Sequence, residues 1–105
     1  MSSIFTKIIR REIPAEIIYE QEDIIVIRDI SPQAKTHLLI IPKKEIESID
    51  HISIEDTKLL WEMFQVAKKV AGKLWVSGAY KLHINVGEKG WQEVMHIHMH
   101  LLSDL

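Results

Sequence analysis

The residues best equipped for chemistry are His96, His98 and His100, which alternate with apolar residues in Met95-His96-Ile97-His98-Met99-His100-Leu101. In a strand, alternate side chains share a face. The spacing therefore predicts three imidazoles on one open face, with Met95, Ile97, Met99 and Leu101 on the other, packed against a helix. Imidazole titrates near neutrality and is costly to desolvate without partners. A central imidazole can attack a phosphorus centre while its neighbours orient it, hold phosphate oxygens or protonate the leaving group. One metal ion shared by all three is a poor fit, because the outer two Cα atoms would lie ~13 Å apart. Zinc held by two of them with a distant third ligand, such as His37 or Glu93, is one alternative. A solvated surface cluster is another. Attack on phosphorus by His98 is the reading that uses all three rings.

The elements that must position this cluster can be read around it. Ile4-Phe5 and Ile8-Ile9 repeat at helical spacing, which predicts a short opening helix closed before Pro14. Residues 16–20 and 24–28, separated by Gln21-Glu22-Asp23, predict a hairpin. His37 to Ile41 is an apolar run ended by Pro42, as expected of a strand covered on both faces. Ser53 reads as the cap of the main helix, whose apolar residues step by three and four from Leu59 to Leu74. Tyr80 to Val86 and Val94 to Leu102 alternate as strands around a Gly87–Gly90 loop. Most connections are too short for crossovers. The expected class is α+β: a five-stranded antiparallel sheet with one long helix and a short N-terminal helix, in one domain over residues 1–105.

Composition narrows the function classes. The 105 residues include no cysteine, so a disulfide framework, a zinc ribbon and a cysteine nucleophile are all excluded. With 13 basic and 15 acidic side chains the formal charge is −2. That balance offers no long-range attraction to nucleic acid or to an anionic membrane. No apolar run has membrane-spanning length, and Met1-Ser2-Ser3-Ile4 does not open a secretory signal. A soluble cytoplasmic protein is expected, and in a chain this short a homodimer would add core that the monomer lacks.

His96-Ile97-His98-Met99-His100-Leu101-Leu102 resembles the His-x-His-x-His-x-x motif of the histidine triad family. Further stretches resemble its nucleotide-binding Hint branch: Ile4 to Ile9, Glu12 to Ala15, Asp29 to Ala34, Thr36-His37 and Ile41 to Lys44. The resemblance implies a sheet continued across a homodimer and hydrolysis of purine nucleoside 5′-phosphoramidates without cofactor or metal. His98 would attack the α-phosphorus to form a nucleotidyl-histidine that water then resolves. By position, Asp29 and Ile30 would line the nucleoside pocket. Asn85, Gln92, Glu93 and His100 would hold the α-phosphate region, with Trp91 beside it. His96 would orient or polarise the triad, with His37 behind. For Asp29 a turn cap before Ser31-Pro32 is an equal alternative, and Asn85 before Gly87 would also serve to shape a strand end. His83 shares parity with Asn85 but receives no role, and His51 is expected to be solvated.

Three features depart from the family pattern. Glu93 stands where Ser or Thr often donates a hydrogen bond, and a carboxylate beside a phosphate is repulsive. Gly90-Trp91-Gln92 replaces Gly-Gly-Gln, bringing a large ring to the phosphate loop, where it would either cover the substrate or pack at the dimer edge. The sequence ends at Leu105 where relatives continue with Gly-Gly-Arg, implying fewer contacts to the amine half of a substrate. Two other functions remain compatible with the same residues: dinucleoside polyphosphate hydrolysis, and a non-enzymatic nucleotide-binding regulatory dimer.

Overall fold

Residues 24–27 and 38–41 are apolar at every position, so the strands they form must be covered on both sides. The computed structural model describes residues 2–105; Met1, part of the opening considered above, lies outside them. Its elements are α1 (Ile4–Ile9), β1 (Ile17–Glu20), β2 (Ile24–Arg28), β3 (Thr36–Pro42), α2 (Thr57–Lys73), β4 (Lys81–His83) and β5 (Met99–Ser103). The strands form one antiparallel sheet in the order β1-β2-β3-β5-β4. This is the expected α+β architecture.

Strand alternation sorts the apolar residues into two cores. Ile24, Val26, Leu38, Ile40, Met99 and Leu101 pack with Met63, Ala67, Val70 and Ala71 of α2. Ile25, Ile27, Leu39 and Ile41 face the opposite way, onto Phe5 and Ile8 of α1. The short helix therefore covers the sheet face that α2 leaves bare.

Three boundaries differ from the sequence expectation. Ser53 caps a 3-10 turn, Ile54–Asp56, through a reciprocal box with Asp56, and α2 begins only at Thr57. The strand expected over 80–86 pairs only from Lys81 to His83. The strand expected over 94–102 starts at Met99, because the preceding residues are drawn off the ladder. Ile97 N–H donates to the Ile46 carbonyl at 2.7 Å, outside the sheet.

Both helices end in the same way. After α2, Trp75 N–H donates to Gly72 O (3.2 Å) and Val76 N–H to Ala71 O (2.9 Å); after α1, Arg11 N–H donates to Ile8 O and Glu12 N–H to Lys7 O. These paired bonds satisfy the last carbonyls, and the turn requires a left-handed residue, most often glycine. Here the positions hold Arg11 and Trp75, each at φ 63. The Trp75 ring is 88% exposed, so little burial offsets its strained backbone. Trp75→Gly is expected to stabilise the fold by roughly 1 kcal/mol, read as a rise in the urea midpoint at constant slope.

Candidate active site

β3, β5 and β4 are neighbours, and each brings a histidine to the α1 side of the sheet. His100 lies opposite Leu39 on β3 and opposite His83 on β4. The His83 and His100 rings stack, with centroids 4.4 Å apart and planes at 15°. His37, from β3, reaches His100 with Nε2 at 2.9 Å from Nδ1. His96 and His98 sit in the irregular segment before β5. The expectation of three imidazoles on an open strand face is therefore corrected: His96 is 0% exposed, His98 is buried and only His100 remains half-open. Met95 is likewise exposed rather than packed inward. Met99 and Leu101, within β5, do face α2.

The partners of each ring fix where its proton sits. A carbonyl oxygen only accepts, and a neutral imidazole has one donor and one acceptor nitrogen. His96 Nε2 lies 2.8 Å from Pro42 O and so carries the proton; its Nδ1 accepts from the Ser3 hydroxyl at 2.6 Å. His98 Nδ1 lies 2.8 Å from His96 O and so donates. That leaves the His98 Nε2 lone pair without a partner among the described residues. Gln33 N–H donates to His37 Nδ1 at 3.1 Å, so His37 Nε2 holds a proton and gives it to His100 Nδ1. His100 then presents Nε2–H. One ring offers a lone pair and its neighbour a donor.

Burial favours the neutral form of His83, His96, His98 and His100. It lowers His98 and His96, although the His96 and Pro42 carbonyls respectively oppose it. His100 is pushed down to about 4, first by burial and then by the charges His98, His83 and His37 would carry. His83 is lowered by burial and by Lys81. Behind the triad, the Phe5 ring meets His98 and His96 edge-on at 4.9 and 5.7 Å. Glu45 accepts from Ser3 N–H (2.8 Å) and the Thr6 hydroxyl (2.6 Å), which hold its carboxyl down at about 2.

His37, His83, His98 and His100 open onto a cavity of about 420 Å³, whereas the fully buried His96 is not part of its wall. One flank holds Asp29, Ser31 and Gln33, and the other holds Asn85, Trp91 and Glu93. Asp29 serves its turn, with Oδ1 accepting from Ser31 N–H at 2.8 Å, while Oδ2 stands 3.5 Å from His37 Nε2. Ile30 is 95% exposed and stands outside the wall. Asn85 Nδ2 donates to Gly90 O at 2.9 Å and so braces the loop. Gln92 requires a correction. Its side chain is buried; Nε2 donates to Glu47 O and Val94 O, and Oε1 accepts from Gly87 N–H. Both amide hydrogens are spent on backbone carbonyls, so none is left for a phosphate.

Asp29, His37 and His100 also offer three ligand atoms within 4.8 Å of one another, the one such triple among the described residues. Two triad histidines do not combine in it. His51 is half-exposed and pairs with Glu47 at 2.6 Å, far in role from the cavity, as expected. Sequence reasoning missed His83, whose parity with Asn85 was the available signal. It also missed Ser3, Phe5 and Glu45, for which nothing local signals a place behind the triad.

A depressed histidine pKa makes stability depend on pH. The folded state resists a proton that the unfolded chain takes up below about 6.5. Stability is therefore full above that pH and is lost as the pH falls from 6.5 towards the His100 value of about 4. Urea midpoints measured from pH 7 to 4.5 should decline, and His100→Gln should make that decline shallower. An unchanged slope in the variant would assign the proton uptake to other groups.

Comparison with known proteins identifies relatives of the chain. The family model described as scavenger mRNA decapping enzyme C-terminal binding matches residues 2–105. The chain is 48% identical over 102 residues to the purine nucleoside phosphoramidase of Escherichia coli, covering 96% of this chain and 86% of that protein. The HIT family hydrolase of Legionella pneumophila superposes with a TM-score of 0.96 at 46% identity, over 99% of this chain and 94% of that one. The histidine triad nucleotide-binding protein of Candida albicans does so at 0.87 and 33% identity, over 95% and 73%. With its His96-x-His98-x-His100 motif on this fold, the chain belongs to the histidine triad (HIT) family.

Proposed function

We propose that this protein hydrolyses purine nucleoside 5′-phosphoramidates through a nucleotidyl-histidine on His98. The observation that carries the reading is the pairing of a free lone pair with a nearby donor. His98 donates from Nδ1 to its own backbone, so Nε2 is left as the nucleophile. His100, its Nδ1 engaged by His37 and its ring part of the cavity lining, has Nε2–H left to offer a phosphoryl oxygen as that oxygen gathers charge. Neutral His98 is the reactive form, and burial favours it.

In the first step His98 Nε2 bonds to the α-phosphorus and the phosphorus–amine bond breaks. The amine leaves with that electron pair and takes up a proton. Water then bonds to phosphorus, gives up its proton, and His98 recovers its lone pair as the nucleotide departs. In this reading Asp29, which lines the cavity beside His37, bonds ribose hydroxyls, and the exposed Ile30 offers an apolar surface to the base. In the same reading Asn85 and the Glu93 backbone, both from the cavity lining, serve the phosphate, and His96 acts through its carbonyl on His98. The identity to a protein named purine nucleoside phosphoramidase supports this substrate class. A second copy of the chain, paired so that the two sheets become continuous, completes the reading.

Release of adenosine monophosphate from adenosine 5′-phosphoramidate, followed in chelator, tests the proposal. Wild type should turn over, and His98→Ala should lose roughly a thousandfold or more. Saturable nucleotide binding with no release by wild type would instead identify a binding protein. Turnover that survives in His98→Ala would remove His98 as the nucleophile.

A further inference from the structure

The cavity has a second flank whose chemistry the nucleoside does not use. Trp91 and Glu93 both line it, and both are exposed. The Trp91 ring is 82% exposed and its backbone is left-handed, at φ 65. Such a conformation is unfavourable for a bulky residue. The loop that carries it is nevertheless firmly tied. Gly90 N–H and Gln92 N–H donate to Gly87 O, Trp91 N–H donates to Glu88 O, and the Gln92 side chain clasps three backbone groups. Trp91 is thus a large ring held in solvent at the cavity mouth by a rigid loop. Glu93, beside it, makes no ion pair or side-chain hydrogen bond among the described residues. An unpaired carboxylate facing a phosphate pocket is repulsive to the substrate's own anion.

One ligand chemistry resolves both oddities. An indole face and a carboxylate each attract a cation. With the nucleoside on the Asp29 flank, the amine half of the substrate falls to the Trp91 side. We infer that Trp91 and Glu93 form a selectivity subsite for leaving amines that carry a second positive charge, an alkyl diamine being the simplest. The inference rests on the phosphoramidate reading above and adds the leaving-group class. A second ammonium would neutralise Glu93 and lie against the indole, while the scissile nitrogen stays on phosphorus beside His98. The bonds broken and formed are those already given; only the departing amine is specified.

Three adenosine 5′-phosphoramidates of equal chain length provide the test: those of butylamine, 1,4-diaminobutane and 4-aminobutanoate. Wild type should favour the diamine over butylamine by about tenfold in kcat/KM, with the anionic amine slowest. Glu93→Gln and Trp91→Gly should each collapse that ratio towards one. Trp91→Gly should at the same time raise the unfolding midpoint, because glycine relieves the left-handed backbone, so misfolding would be visible as the opposite shift. Equal wild-type rates on all three would overturn the subsite and leave the hydrolase reading intact. A preference that survives both substitutions would overturn its assignment to Trp91 and Glu93. Hydrolysis of none would sink the phosphoramidate reading itself, and this one with it.

Discussion

The site depends on one hydrogen bond, from His98 Nδ1 to the carbonyl of His96 two residues earlier. A neutral imidazole is a nucleophile through one nitrogen only, and the other must hold the proton. Tying Nδ1 to backbone settles which is which without a carboxylate partner. The bond has a structural condition. Had the β5 ladder run on through residues 96–98, that carbonyl would face a neighbouring strand instead. The chain leaves the ladder before Met99, with Ile97 N–H bonded to Ile46 O, and so releases the His96 carbonyl to the ring. Irregular backbone here is what makes the regular chemistry available.

The second requirement is dryness behind the rings, and α1 supplies it. α2 packs the larger core on the far side of the sheet, while Phe5 and Ile8 cover the side that bears His37 and His100. Ser3 caps α1 by accepting from Thr6 N–H and also donates to His96 Nδ1. One serine thus links helix start and triad. Because this packing excludes water, protonating His98 is unfavourable, and its Nε2 lone pair stays free at neutral pH.

Much of this was legible in the sequence, for identifiable reasons. β2 and β3 announce themselves because each residue from Ile24 to Ile27 and from Leu38 to Ile41 must be apolar in a doubly covered sheet. α2 is equally plain from its three- and four-residue steps. The period-2 pattern at 95–101 was real but over-read. Alternation predicts a face only where a ladder enforces it, and the ladder begins at Met99. Gln92 looked like a phosphate donor because its side-chain type allows that, yet its hydrogens are committed to Glu47 and Val94, contacts no local pattern reveals. Ser3 meets His96 across 93 positions, and Ser3 reaches Glu45 across 42. Contacts at such separation leave no trace in spacing. His83 lies between the two cases, since its parity was visible but its stacking on His100 required knowing that β4 pairs with β5.

The strand order has a consequence for how the molecule comes into being. β5 is the last strand in the sequence, yet it lies between β3 and β4. A chain emerging from the ribosome can assemble the β1-β2-β3 meander early, but β4 has nothing to pair with until β5 inserts. The triad segment and the strand that closes the sheet are made together, after everything they must join. Such long-range pairing is slow relative to local structure, and it places assembly of the reactive centre at the closing step of folding. A nascent or partly unfolded chain therefore has most of its core and none of its catalytic geometry, so competence for chemistry and completion of the fold arrive as one event.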